Sequence, residues 1–432
     1  MDWQIMAVIL MGVVIGLIFG GVWIAVALGI TGVIGLLIRD PHMVGALKMI
    51  LWNNVNSYTL AAVPLFVFMS SIILHSGISM KFYDCLVKWL YRLPGSLVHA
   101  NIVACTIFAA LCGSSIATAA AIGRVAIPEM ERREYDRRLT YGSLAAGGTL
   151  GILIPPSIPM IIYGIMVGQS IGRLFMAGII PGLGLAFLFS LYVLLRTIKN
   201  PSLAPRGERI ISWKDRLQST KDIVPMLALI VLVLGGIYMG LMTPTEASGI
   251  GSAGAIVIVL GYRRLNFDTL RKSLKDTLKI SCMTLFILVG AQIMALAMVE
   301  AKIPRSLATF LTEQPFSPWV IFIFIALIYL LFGMFLSLMA TMLLTLPIVY
   351  PVILALGFDP IWFGIIMVIL LEIGQLTPPV GLNLFVIQGI SQRPITEVIW
   401  GSLPFVFVML IGVAILSAFP VLALWLPSHM IG

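Results

Sequence analysis

Gly147-Gly148-Thr149-Leu150-Gly151-Ile152-Leu153-Ile154-Pro155-Pro156-Ser157 interrupts an apolar run, and Glu372-Ile373-Gly374-Gln375-Leu376-Thr377-Pro378-Pro379-Val380-Gly381-Leu382-Asn383 matches it at an offset of 223. Paired prolines remove two amide donors and bias the preceding residue away from helix, so a helix running through either stretch has to unwind there. The same offset sets Thr118 beside Thr341, Pro128 beside Pro351, Gly178 beside Gly401 and Pro181 beside Pro404. At an offset of 222, Gly29 and Gly32 meet Gly251 and Gly254. One register holding from near the start to near the end points to an internal repeat, with halves at 1–199 and 223–432 and a basic linker at 200–222.

The medium these helices cross is lipid. Of 432 residues 60% are hydrophobic and 10% charged, a balance that would leave a soluble surface apolar. Apolar stretches such as 4–38, 97–127, 140–169, 173–195, 223–260, 280–299, 318–357, 361–390 and 398–426 reach or exceed the roughly 20 residues that span a bilayer core of about 30 Å. The pattern predicts an all-α polytopic membrane protein of about ten transmembrane helices. Two re-entrant hairpins are expected at 97–130 and 318–357, and unwound helices at 140–169 and 361–390. A transmembrane β-barrel, whose mark is short alternating segments, is excluded.

Lys and Arg outnumber Asp and Glu by 27 to 18. The basic residues sit in loops between apolar runs rather than on one soluble face, so they read as topology signals beside lipid headgroups, not as a nucleic-acid surface. Arg132, Arg133, Arg137 and Arg138 mark one cytoplasmic loop. Arg196, Lys199, Arg206, Arg209, Lys214, Arg216 and Lys221 mark a second, and Arg263 to Lys279 a third. Counting outward from them places both termini in the periplasm. MDWQIMAVIL, with no basic residue before its apolar run, reads as a retained helix. The mixed stretches 39–57 and 263–279 read as arms along the interface. With about five crossings and one hairpin in each half, an odd number, the second half enters from the opposite side and the repeats are inverted. Inverted repeats with broken helices near the midplane are a recurring plan of secondary transporters. No GxxxxGK[ST] loop for ATP is present.

Four polar breaks carry the candidate site. Besides the two proline breaks there are Cys112-Gly113-Ser114-Ser115-Ile116-Ala117-Thr118 and the segment from Gly333 through Ser337 to Thr341. Carbonyls freed at such breaks need partners in hydrocarbon, and a hard cation such as sodium is satisfied by carbonyl and hydroxyl oxygens. An isolated Gly-Ser cluster reads more readily as helix packing with hydroxyls bonded back to their own turn. Paired breaks in both halves favour ion sites. The candidate ion-binding set is Gly113, Ser114, Ser115, Thr118, Gly151, Pro155, Gly333, Ser337, Thr341, Gly374, Thr377 and Pro378. Bare half-helix N-termini beside them suit a substrate carboxylate, which makes Ser157, Gln375, Gly381 and Asn383 the candidate substrate set.

Charged residues within apolar runs each call for a reason. Glu246, in Thr243-Pro244-Thr245-Glu246, reads as a helix cap; Glu372 either tunes an ion site or pairs with a backbone donor. Arg124 either reaches the cytoplasmic interface or faces an anionic substrate. Cys85, Cys105, Cys112 and Cys282 lack metal or disulfide spacing and read as small core residues. His42, His75, His99 and His429 show no transition-metal or catalytic arrangement, so neither an enzyme nor a cofactor is expected.

Together, Pro64-Leu65-Phe66 with Gly77, Gly113 to Thr118 with Ile127-Pro128-Glu129-Met130, Gly151 to Ser157, Thr243 to Ala247, and Glu372 to Asn383 resemble the large membrane subunit of tripartite ATP-independent periplasmic (TRAP) transporters. The resemblance spans nearly the whole chain. It implies a fixed scaffold and a moving transport domain working as a sodium-driven elevator for a carboxylate, with Na+ as coupling ion. It also implies a small membrane subunit of about four helices and a periplasmic solute-binding protein as partners. Arg124 stands where the family pattern favours a small or neutral residue. The nearest rival is a self-sufficient ion-coupled citrate or dicarboxylate permease; a membrane-embedded enzyme or scaffold is a second.

Overall fold

The computed structural model describes residues 2–205 and 212–430; Arg206 and Arg209 lie outside them. Every regular element among the described residues is helical. The first part holds α1 (Trp3–Phe19), α2 (Ile24–Arg39), α3 (Leu47–Val55), α4 (Ala62–His75) and α5 (Ile78–Leu90). It continues with α6 (Ser96–Cys112), α7 (Ser115–Arg132), α8 (Arg137–Leu153), α9 (Ile158–Val167) and α10 (Ile171–Lys199). A linker helix α11 (Trp213–Thr220) follows. The second part holds α12 (Val224–Tyr238), α13 (Pro244–Gly261), α14 (Phe267–Glu300), α15 (Ile303–Thr312) and α16 (Pro318–Phe335). Last come α17 (Leu338–Ala355), α18 (Pro360–Gln375), α19 (Leu382–Ser391), α20 (Ile395–Ala418) and α21 (Val421–Ser428).

Seven helices are at least 18 residues long and apolar enough to cross a membrane, counting α8 continued by α9 as one. Ile323, Phe324, Leu331, Phe187 and Leu195 point outward and exposed, the placement lipid favours. Helix bounds recur along the chain. Moving α6 and α7 by 223 positions gives 319–335 and 338–355, against Pro318–Phe335 and Leu338–Ala355.

Two packed blocks organise the bundle. At the centre of the first lie α8 and α18, on which every residue from Leu139 to Leu153 and from Ile361 to Gln375 is buried. A helix buried all round needs neighbours on every side and small residues where backbones meet. α6 and α7 both pack on α8, folded as a hairpin, and α16 and α17 do the same on α18. Gly142 of α8 meets the backbone of Gly401 on α20 so closely that a Cβ on either glycine would overlap the other helix. The second block joins α2 to α14, where Gly290 abuts the Ala25 carbonyl, and α4 to α13, where Ser252 Oγ donates to Leu65 O at 2.7 Å. Between the blocks, Phe66 of α4 meets Phe175 of α10 edge to face, with centroids 6.1 Å apart.

Some sequence expectations take a different form. The stretch 263–279 is no separate arm but runs into α14, a 34-residue helix of about 51 Å that must project beyond a 30 Å core. Its exposed Arg271, Lys272, Lys275 and Lys279 occupy the projecting part. His75 Nε2 lies 2.7 Å from Asp276 Oδ2, and Asn54 Nδ2 donates to Gln292 Oε1 at 2.7 Å; both tie α14 to the first part. Cys85, Cys105 and Cys112 are buried, but Cys282 is exposed on the outer face of α14, where a thiol is apolar enough for lipid. Glu246 closes a capping box with Thr243 at the start of α13.

Candidate ion and substrate site

At the first hairpin tip α6 ends in Gly113, whose φ of 62° is readily reached without a Cβ. Ser114 then caps α7, its Oγ accepting from Ala117 N at 3.4 Å. The facing break lies in α8, which stops at Leu153 before a cis Pro155–Pro156 bond; α9 restarts under a Ser157 cap. Because Pro155 and Pro156 cannot donate, the carbonyls of Gly151 and Ile152 lose their helical partners. Gly151 presses directly on the tip: a Cβ there would sit 2.5 Å from Thr118 Oγ1 and 2.7 Å from Ser114 O. A Cβ on Gly113 would lie 2.7 Å from Pro156 O. Thr118 is fully buried, and its Oγ1, beside the Cys112 thiol, has no hydrogen-bond partner within bonding geometry.

The second half repeats this arrangement. α16 ends before Leu336, and Ser337 caps α17 by accepting from Ala340 N at 3.4 Å. α18 stops at Gln375 ahead of a cis Pro378–Pro379 bond, and α19 restarts after Gly381, which has φ 60°. Thr341 is fully buried with an unpartnered Oγ1, as Thr118 is. Backbone N–H groups of Thr118 and Thr341 each donate to the carbonyl four residues earlier at 3.0 Å, so the two threonines hold equivalent places in their helices.

Each remaining candidate has a specific place. Gly333 lies inside α16 rather than at its break, where it allows contact with Gly374; a Cβ on Gly374 would be 2.6 Å from the Gly333 backbone. Gln375 spends its amide on the end of α16, donating to Gly333 O at 3.2 Å and Leu336 O at 3.0 Å. Thr377 Oγ1 donates to Ile373 O at 2.7 Å and keeps its acceptor lone pairs. Ser157 is buried and accepts from Met160 N at 3.5 Å. Asn383, on the first turn of α19, donates to Glu372 Oε2 at 3.4 Å. Ser115 is buried, and its hydroxyl faces the same carboxylate. Arg124 is exposed on α7, away from the breaks.

Glu372 is the residue the candidate set omitted. Its place in an apolar run was the available signal; its Asn383 partner, eleven positions on, emerges only when α18 and α19 fold about the break. Carbonyl and hydroxyl oxygens lie at both breaks, donors that suit a hard cation. Among the described residues no three His, Cys, Asp or Glu side chains converge on a metal position.

Comparison with known proteins agrees with this architecture. The C4-dicarboxylate TRAP transporter large permease protein DctM of Pseudomonas aeruginosa is 37% identical over 407 residues, 94% of each chain. Its namesake from Vibrio cholerae is 35% identical over 97% of each chain. Among solved structures, the YdaH transporter of Alcanivorax borkumensis superposes with a TM-score of 0.59 at 15% identity, covering 88% of this chain and 89% of its own, a likeness of fold. Residues 4–422 match the family model described as "Tripartite ATP-independent periplasmic transporter, DctM component", and the chain belongs to that family.

Proposed function

We propose that this chain carries an organic acid into the cell across the inner membrane by sodium-coupled secondary transport. Its two halves are inverted repeats with the bounds 1–199 and 223–432, and both termini are periplasmic. α6 to α10 with α16 to α20 form the moving elevator, and α1, α2, α4 and α12 to α14 the scaffold. A periplasmic solute-binding protein delivers the substrate, and a small four-helix membrane subunit flanks the scaffold.

One sodium ion binds among Gly113, Ser114, Ser115, Thr118, Gly151 and Pro155. A second binds among Gly333, Ser337, Thr341, Gly374, Thr377 and Pro378. The substrate carboxylate takes the space between the starts of α9 and α19, beside Ser157, Gln375, Gly381 and Asn383, where the helix dipoles favour an anion. The relatives' names specify C4-dicarboxylates; for this chain the class is a carboxylate.

The observation that carries this reading is the pair of buried, unpartnered hydroxyls of Thr118 and Thr341 at equivalent breaks. Leaving such a group unsatisfied costs about 1–3 kcal/mol, and a cation removes that cost in both places. The test is the thermal unfolding midpoint in sodium chloride against potassium or choline chloride at equal ionic strength. A ligand at ten times its dissociation constant adds roughly 1.4 kcal/mol to the folded state. The expected result is a saturable, sodium-specific rise; equal midpoints in all three salts defeat the sodium assignment.

A further inference from the structure

Glu372 is 1% exposed and Asn383 is 0% exposed. The amide nitrogen of Asn383 donates to Glu372 Oε2, and Ser115 reaches the carboxylate from the tip of the first hairpin. Two oxygens remain: Glu372 Oε1 and Asn383 Oδ1 are both buried without a partner. A carboxylate oxygen and an amide oxygen are both acceptors, so neither satisfies the other. Among the described residues no Lys, Arg or His forms an ion pair with Glu372. A buried carboxylate keeps its charge only beside a compensating positive charge, and two unpartnered oxygens are a place to bind one.

This arrangement is not a copy of the repeat-related pair. At the matching positions of the first half stand Thr149, whose hydroxyl donates to Ala146 O at 2.6 Å, and Met160, an apolar core residue. The extra charge and the extra amide belong to the second half alone, yet Ser115 brings in the first.

We infer that Glu372, Asn383 and Ser115 bind a third monovalent cation of the sodium class, bridging Glu372 Oε1 and Asn383 Oδ1 between the hairpin tip and the second broken helix. The inference rests on the sodium-coupled reading above and deepens it. A substrate carboxylate near Asn383 also lies near Glu372, and a cation between the two anions turns repulsion into attraction. The substrate is thereby made dependent on an ion that the two hydroxyl-lined sites do not supply.

The test counts ions. Equilibrium binding of radioactive sodium to the purified full chain with its small membrane subunit, in choline chloride at constant ionic strength, gives the number bound per chain. Glu372→Gln preserves shape and hydrogen bonding but removes the charge, and it is expected to bind one ion fewer; Glu372→Asp is expected to keep the count at weaker affinity. An unchanged count in Glu372→Gln overturns the third site and leaves the sodium reading intact. No saturable sodium binding by the parent chain is the separate failure, that of the proposed function itself. Should Glu372→Gln lose its cooperative unfolding transition in potassium, Asn383→Ala takes its place, with one ion weakened by about tenfold or more. An unchanged isotherm for that variant overturns the inference as well.

Discussion

Thr118 and Thr341 each bury a hydroxyl that has no hydrogen-bond partner. Replacing either by valine removes an unpartnered oxygen and keeps the side-chain volume, so ordinary packing logic expects no loss of stability and a gain of up to about 1–3 kcal/mol. If the oxygen is an ion ligand, its cost appears only in the presence of the ion. Thr118→Val and Thr341→Val are therefore expected to match or exceed the parent's unfolding midpoint in potassium chloride and to lose most of the rise in sodium chloride. Parental sodium responses in both variants would show that the hydroxyls do not touch the ion. The choice of these two residues was available from sequence through the 223-residue register. Gln375 was legible only as a polar residue beside a break: nothing in its neighbourhood reveals that its amide caps α16, because Gly333 and Leu336 lie about forty positions earlier.

At the breaks the elements owe their positions to chemistry that sequence states openly. Proline pairs end α8 and α18 because two successive residues cannot donate, and Gly113 turns the chain at the first tip through a left-handed conformation. The merging of 263–279 into α14 was less legible, since basic residues interspersed with Leu suit a surface helix and a projecting helix end equally well. Element packing gives its own prediction. Gly374→Ala drives a Cβ to within 2.6 Å of the Gly333 backbone, so α16 and α18 must separate. The expected cost is about 1–3 kcal/mol of overpacking, with a reduced sodium response as the second break opens. Gly389→Ala, on α19 with nothing within 4 Å of its new Cβ, is the control and is expected to be neutral or stabilising by about 0.4–1 kcal/mol. Differential scanning of the purified variants in both salts separates these outcomes. Equal midpoints for Gly374→Ala and the parent would show that the contact yields without cost.

Across the whole bundle, the two blocks meet over apolar surfaces that include the Phe66–Phe175 contact, while each block is knitted internally by close backbone approaches such as Gly290 on Ala25 and Gly142 on Gly401. Side-chain contacts between aromatic rings can slide and re-form; interlocked backbones resist it. That contrast motivates a cross-linking experiment on the assembled transporter. With Cys282 replaced, Phe66→Cys and Phe175→Cys joined by a short bifunctional reagent are expected to stop uptake in proteoliposomes. Cysteines joining α4 to α13, introduced at Leu65 and Ser252, are expected to leave it running. Uptake that persists through the first cross-link would mean the two blocks do not move past one another there.

The Gly142–Gly401 contact also bears on how the protein is made. α8 is enclosed on all sides, and the helix that touches its backbone most intimately is synthesised roughly 260 residues later, a delay on the order of 10 to 50 s at ordinary translation rates. During that interval α8, with its glycines and hydroxyls, sits in the membrane lacking the neighbour it is shaped to meet. The first half therefore cannot reach its final packing while the ribosome is still working, and α8 must be sheltered by insertion machinery or by its own hairpin until α20 arrives.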